Sequence, residues 1–252
     1  MAPDVTLGID LSSQSEHTGA CAVSWGLRSA RIEALELGLD DGRLIELAGA
    51  AGKVGIDVPL GWPRRFAEAV WSHSQGLGWP TDYEHRVDRD EMRLRATDRW
   101  VAQRHGHIAL SVAADRIALP AMRAAWLAPR LQDGPLDLSG AGKVVEVYPA
   151  LALRCWSLPH RGYKRSEGSS KRAALVASLV ERVPWLAVDK YRRDLEKSDD
   201  LLDALVAALV ARAHQTANCE AIPDEHLAHA RREGWIAVPR SSSLDALAEQ
   251  GV

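Results

Sequence analysis

The sequence predicts an α/β domain built on a mixed β-sheet. Three strand-like segments open the chain, followed by a helix pattern near Asp41 and a buried strand that begins at Lys53. Short linkers favour antiparallel pairing of the first three segments, and a helical crossover allows the fourth strand to lie parallel beside the first. The first three strands are expected at residues 5–11, 18–25 and 30–38.

The remainder of the chain is expected to be mainly helical. Residues 62 to about 140 interrupt the strand pattern, which indicates a helical insertion after the fourth strand. A fifth strand is predicted in KVVEVYP, residues 143–149, and the closing segment GWIAVP is either a last strand or a tail. Helices are expected near residues 149–156, 170–182 and 197–214. We therefore expect a five-stranded sheet in a single domain over residues 1–240, with a flexible C-terminal tail over 241–252.

Composition excludes several classes of protein. The chain has 252 residues and a formal net charge of −3, which argues against a histone-like protein that binds nucleic acid through overall charge. Its three cysteines are far apart and form no C-x-x-C pair, so neither a disulfide framework nor a thiolate zinc site is indicated. No apolar run reaches the length of a membrane span and no signal peptide is evident, so we expect a cytoplasmic protein without a membrane partner.

Three predicted strands each carry one acid in an apolar setting. These acids are Asp10 in GIDL, Asp57 in GIDV and Glu146 in VVEV. Acids are rare in strand interiors, so three such cases indicate a common cause. If the strands are parallel neighbours, acids at matching heights lie roughly 5 Å apart. Their repulsion would be relieved by a pair of divalent cations about 3.5–4 Å apart.

The stretch KSDDLLDALVAALVARAH adds further acids at the start of an apolar helix. Ser198 is a good N-cap, and Asp199 and Asp200 suit the positive end of the helix dipole. Asp203 lies beyond the first turn among apolar residues, so it needs a partner: either a structural cation or a metal. A helix packed on the sheet edge would bring Asp200 and Asp203 to the strand acids, and hard oxygen ligands favour Mg²⁺ or Mn²⁺.

The order of elements, the first-strand Asp10 and the late SDDLLD resemble the RNase H-like fold of nucleases and resolvases. The fuller motif set is similar to the domain-of-unknown-function 429 family, whose members are described as predicted nucleases. That set comprises GIDLSS, GIDVPLGWP, R-x-T-D at 95–98, VVEVYPA and KSDDLLDALVAA. The resemblance implies that Asp10, Asp57, Glu146 and one or both of Asp200 and Asp203 are metal ligands. It gives no role for Arg95 and Asp98, which are either a structural pair or part of a substrate site.

A basic segment supplies candidate substrate contacts. Residues 154–172 contain six Lys and Arg residues against one Glu, with aromatic residues between them. This composition suits phosphate contact and base stacking, although a solvated loop is an equal alternative. Lys164, Arg165 and Tyr148 are the candidates for substrate binding here, with Arg95 from the family motif. Ser12 follows Asp10 and is interpreted as a turn residue that hydrogen-bonds near a metal or phosphate.

The leading functional hypothesis is a metal-dependent phosphodiester hydrolase that acts on DNA or RNA. In a two-metal mechanism one ion activates water and the other stabilises the leaving oxygen, with Asp10, Asp57, Glu146, Asp200 and Asp203 as the catalytic acids. Two alternatives remain open at this stage. One is a nucleotide-dependent phosphotransferase or ATPase of the actin and sugar-kinase type, and the other is a non-catalytic nucleic-acid-binding module.

Overall fold

The computed structural model describes residues 4–80, 86–107, 109–132 and 134–249. The chain forms an α/β domain in which helices flank a mixed six-stranded sheet. The strands are β1 (Asp4–Asp10), β2 (Gly19–Gly26), β3 (Ser29–Leu37), β4 (Lys53–Asp57), β5 (Val144–Glu146) and β6 (Leu186–Ala187). Over the described residues, every helix is too short or too polar to span a lipid bilayer.

The α-helices fall into three groups along the chain. Within the described residues, a single crossover helix precedes β4, four α-helices lie in the insertion between β4 and β5, and the others follow β5. They are α1 (Asp41–Gly49), α2 (Arg64–Ser74), α3 (Arg86–Arg93), α4 (Ala96–His105), α5 (Ala118–Leu127), α6 (Pro149–Cys155), α7 (Ser169–Arg182), α8 (Arg192–Lys197), α9 (Asp199–Gln215), α10 (Leu227–Glu233) and α11 (Ser243–Ala246). The helical insertion expected over about 62–140 is therefore present in the described part of that range.

The sheet has the strand order β5-β4-β1-β2-β3-β6. β1, β2 and β3 pair as consecutive antiparallel strands, as their short linkers predict. β4 returns through the α1 crossover and lies parallel to β1, with β5 parallel on its other side. The three strands that carry the acids are thus parallel neighbours, and their carboxyl ends meet at one edge of the sheet.

The five-strand expectation is wrong by one strand. β6 contains only two residues and pairs parallel with β3, with Ala30 opposite Leu186. So short a strand has no periodicity that a sequence pattern can reveal. The closing GWIAVP segment runs beside β5, where Ile236 forms a parallel bridge with Glu146 and the amide of Ala237 donates to the Glu146 carbonyl.

The expected flexible tail is packed against the domain over its described part. Leu244 and Leu247 are fully buried, and the Trp156 indole donates to the Ser243 hydroxyl at 2.9 Å. The amide of Arg28 donates to the Ala248 carbonyl, which ties this segment to the turn between β2 and β3. Its two leucines supply enough buried apolar surface to order a segment that is otherwise rich in serine. Residues 250–252 of the expected tail lie outside the described residues.

Glycines in two strands let the longest helix lie directly on the sheet. α9 packs across β1, β2 and β4. A Cβ atom on Gly8 would lie 2.0 Å from the Ala204 carbonyl oxygen, and one on Gly55 would lie 2.5 Å from that of Ala207. Any side chain at either glycine would therefore push the helix away. Since side chains alternate along a strand, the residues two positions after these glycines face the same helix.

Candidate carboxylate site

Asp10 and Asp57 lie side by side at the carboxyl ends of β1 and β4. The parallel register places the Cα atoms of these two residues directly opposite each other. Each lies two residues after the glycine that contacts α9, so both side chains project toward that helix. The prediction that these two strand acids share one edge and one height is confirmed by the register.

Asp203 completes a group of three acids from the helical side. It lies on the second turn of α9, is fully buried, and is held over the strand ends by the close approach of the helix. Three carboxylate oxygens, one each from Asp10, Asp57 and Asp203, lie within 4.8 Å of one another. These three acids are called the carboxylate cluster below.

Tyr163 and Lys164 both contact Asp203. The Tyr163 hydroxyl donates to Asp203 Oδ1 at 2.7 Å, and Lys164 Nζ lies 2.6 Å from Asp203 Oδ2. Oδ2 makes no hydrogen bond of acceptable geometry within the described residues, so the lysine contact is best viewed as an ion pair. The Lys164 side chain as a whole is 51% exposed, whereas its ammonium lies against the buried Asp203 carboxylate.

The cluster is electrostatically strained. Burial raises the pKa of Asp10 well above its ordinary value, and Asp57 and Asp203 raise it further. Burial also raises the pKa of Asp57 to about 7; Lys164 acts against this change, and Asp203 adds to it. Burial opposes the charged form of Lys164, but Asp203 and Asp57 outweigh it and raise the pKa of the ammonium. One lysine therefore does not neutralise three neighbouring carboxylates.

The loop that carries Tyr163 and Lys164 is held by a buried arginine. Arg172 donates to the carbonyls of Tyr163 and Arg165 at 2.7 and 3.0 Å. It also donates to the carbonyls of residues 196 and 197 at the end of α8, so it joins the loop to the approach to α9. This clamp fixes Lys164 relative to the helix that bears Asp203.

Arg165 adopts a backbone conformation with φ 62° and ψ −177°, a region that is populated almost only by glycine. Its amide donates to the carboxylate of Asp199 at 3.1 Å. Asp199 is thus more than a residue that suits the helix dipole, because it also stabilises a strained backbone beside Lys164. Arg165 was expected to bind substrate through its side chain, which is exposed.

Glu146 does not join the cluster, contrary to expectation. Its Cα lies opposite Ile56 rather than Asp57, one residue out of register, so its side chain points to the other face of the sheet. There Arg95 donates to both carboxylate oxygens at 2.7 Å, and the amide of Leu60 donates to Oε2 at 2.9 Å. The acid is 2% exposed and fully engaged by these partners.

The same network accounts for the Arg95–Asp98 motif. Arg95 caps α4 through a capping box with Asp98, and the two side chains pair at 2.9 Å while almost fully buried. Asp98 and Glu146 together surround the guanidinium, and the pKa of Arg95 is raised by these acids against the effect of burial. Arg95 therefore connects the insertion to β5. Each of its three guanidinium nitrogens donates to a carboxylate oxygen of Asp98 or Glu146.

The remaining expected site residues lie around the cluster. Asp200 is half-buried one turn before Asp203; burial and then Asp199 raise its pKa, and its charge in turn raises that of Asp10. Ser12 accepts from the amide of Gln14 at 3.3 Å, as expected for a turn residue. The Tyr148 hydroxyl lies 2.8 Å from Nε2 of His107, at the wall of a cavity that adjoins the cluster.

Reasoning from sequence missed two residues of this site, Tyr163 and Arg172. In the sequence, Tyr163 is one of several aromatic residues in the basic segment 154–172, and its spacing indicates no partner. Arg172 carried a usable signal, because it shares the i, i+3, i+4, i+7 face of α7 with Leu175, Val176 and Leu179, which are all buried. A cation on an apolar helix face indicates a buried polar partner, here the backbone carbonyls of the loop.

The fold and the site define an α/β protein with a cluster of three carboxylates at the carboxyl edge of a mixed sheet. The chain belongs to the family described as "Protein of unknown function (DUF429)", whose model matches residues 8–228. This match confirms the family resemblance of the sequence motifs. Comparison with curated proteins and with solved structures found no match.

Proposed function

We propose that this chain is a metal-dependent phosphodiester hydrolase with an RNase H-like fold that acts on nucleic acid. The observation that carries the proposal is the convergence of Asp10, Asp57 and Asp203, from two strands and one helix, within 4.8 Å. Burying like charges together opposes folding unless a counter-charge is bound. Structural acids are normally paired with cations and fully hydrogen-bonded, as Glu146 and Asp98 are with their shared partner Arg95 in this chain.

The residues of the cluster fit a hard divalent cation. All three ligands offer carboxylate oxygens, and no histidine or cysteine belongs to this group, which favours Mg²⁺ or Mn²⁺ over zinc. A site for two metal ions, as expected from the sequence, needs a further acid because Glu146 is paired with Arg95. Asp200 is our candidate for that role, because it is half-buried and acts electrostatically on Asp10.

A bound divalent ion would supply Lewis-acid stabilisation of charge at a phosphate and favour deprotonation of an attacking water. Lys164 complements this chemistry, since its side chain is half-exposed and its ammonium lies beside the cluster, where it can donate to a phosphate oxygen. Tyr163 fixes the orientation of Asp203 by its hydrogen bond to Oδ1. Arg172 positions both residues through the loop carbonyls.

The test combines metal binding with turnover. Mn²⁺ binding is measured by calorimetry on the wild type, on Asp57→Asn and on the control Asp224→Asn, whose exposed acid lies far along the chain in a short helical turn. We expect Asp57→Asn alone to lose Mn²⁺ binding and to lose cleavage of single-stranded and duplex oligonucleotides. ATP hydrolysis is followed in parallel, because turnover of ATP without cleavage would favour the phosphotransferase alternative. Mn²⁺ binding that is equal in all three proteins would refute the metal site.

A further inference from the structure

A cavity of about 400 Å³ adjoins the carboxylate cluster. Asp10, Asp57 and Lys164 line one end of it, so a ligand in this cavity has one end at the acids. The volume is at the lower end of the range of about 300–1,000 Å³ that is typical of small-ligand pockets. It therefore suits a group of the size of one nucleoside rather than a stacked base pair.

Most of the remaining cavity wall is apolar, apart from Arg95, Glu146 and Tyr148, and it is contributed by several parts of the chain. The segments after β1 and β4, the insertion, α6 and the closing segment all supply side chains. Six of these are Leu11, Val58, Leu110, Ile117, Ala150 and Ile236. Because the insertion supplies Leu110 and Ile117, it forms part of the wall of the cavity that adjoins the cluster.

The polar side chains of the wall already have partners within the protein. Arg95 is paired with Asp98 and Glu146, and Tyr148 is hydrogen-bonded to His107. The body of a ligand would therefore meet carbon surface, while its charged part would meet the cluster and Lys164. A nucleotide matches this arrangement. Its flat base would pack on the carbon surface, and its phosphate, attached through the sugar, would lie at the cluster and Lys164.

From these features we infer that the cavity accepts a single unpaired nucleotide adjacent to the phosphate at the cluster. This inference rests on the proposed function and adds its substrate class: single strands, frayed ends or nucleotides rather than intact duplex. A paired base would first have to be unstacked and rotated out of the helix, which requires additional free energy. The apolar wall also predicts weak discrimination between bases, since contact there is by packing rather than by paired hydrogen bonds.

Equilibrium binding tests the inference without turnover. Fluorescence anisotropy measures the binding of a labelled single-stranded oligonucleotide and of the same strand in a blunt duplex. Both titrations are made in Ca²⁺, and thymidine 5′-monophosphate is added as a competitor. The duplex is expected to bind at least about tenfold more weakly, and the mononucleotide should compete with the single strand. Ala150→Phe fills the cavity, and Leu110→Glu places an acid at a position that is already 51% exposed, so it should fold normally. Ala174→Phe, on the exposed side of α7, is the matched control.

Both cavity variants are expected to weaken single-strand binding by about tenfold or more while Mn²⁺ binding stays equal to that of the wild type. The control should match the wild type in both measurements. Equal affinity for single strand and duplex, absence of single-strand binding, or undiminished binding by both variants would overturn the cavity assignment. If the wild type shows the expected binding but cleaves nothing in Mn²⁺, the hydrolase proposal fails and the cavity assignment stands. Cleavage that both variants retain in full would overturn the cavity assignment alone.

Discussion

Replacing Asp57 with asparagine should stabilise the metal-free protein. The substitution preserves shape and removes one charge from the carboxylate cluster, where burial raises the pKa of Asp57 to about 7 from an ordinary 3.8. The folded state then holds the proton more tightly than the unfolded state. Stability contributed by this group is therefore lost as pH rises from 3.8 to about 7, and the wild type carries the full penalty above that range.

The size of this stabilisation follows from the ordinary pKa of 3.8 and the raised pKa of about 7 for Asp57. Their difference corresponds to about 4 kcal/mol as an upper bound. Asp10 shares the repulsion and Asp57 as a residue is only half-buried, so we expect a gain of about 1–3 kcal/mol near pH 8. The gain should be smaller near pH 5, because much of the wild-type penalty develops above that pH.

Glu146→Gln should have the opposite sign. Arg95 donates to both oxygens of Glu146 in a buried pair, so a glutamine, which has one acceptor oxygen, leaves a buried guanidinium donor facing an amide NH2 even though Asp98 still balances the charge. We expect a loss of about 3 kcal/mol. A structural role for Asp57 would also produce a loss, so comparison of the two variants distinguishes a strained cluster from an ordinary ion pair.

The assay is urea unfolding in a chelator, followed by the fluorescence of the nine tryptophans. Wild type, Asp57→Asn, Glu146→Gln and the exposed control Asp224→Asn are compared near pH 5 and near pH 8. The control should stay within about 0.5 kcal/mol of the wild type. If Asp57→Asn were less stable than the wild type near pH 8, the account of the cluster as a set of mutually repelling acids would be wrong.

Three further predictions follow from the contacts around the site. Lys164→Met should bind Mn²⁺ more tightly than the wild type, because Asp203 loses its resident cation; weaker binding in a calorimetric titration would contradict this role. Gly8→Ala should destabilise the protein by several kcal/mol, because a Cβ would lie 2.0 Å from a carbonyl oxygen of α9; a wild-type melting temperature would refute the packing argument. Arg161→Ala combined with Arg165→Ala should lower the salt dependence of oligonucleotide binding by about two counterions, and an unchanged slope would place the phosphate contacts elsewhere.

Local patterns were sufficient to predict most of the sheet and the three acids of the carboxylate cluster. Asp10 and Asp57 follow the same G-I-D pattern at the ends of apolar strands, and parallel pairing places equivalent positions side by side. Asp203 was distinguishable from Asp199 and Asp200 because only it lies among apolar side chains beyond the first turn. Each of these inferences depends on the chain close to the residue itself.

What could not be predicted depends on long-range geometry. Glu146 has the same apolar strand context as Asp10, but a register offset of one residue sends its side chain to the opposite face. No pattern within β5 specifies that offset, because it is set by how the strand packs against the insertion and the closing segment. The contacts of Tyr163 and Arg172 likewise depend on the path of a loop, which the sequence leaves undetermined.

The most direct test of the central claim is a crystal structure of the protein soaked in Mn²⁺, with anomalous differences recorded to locate the ion. The account predicts an anomalous peak in contact with carboxylate oxygens of Asp10, Asp57 and Asp203, with the Lys164 ammonium moved away from Asp203. An empty cluster that retains the Lys164–Asp203 contact, in a crystal with full Mn²⁺ occupancy elsewhere, would contradict it.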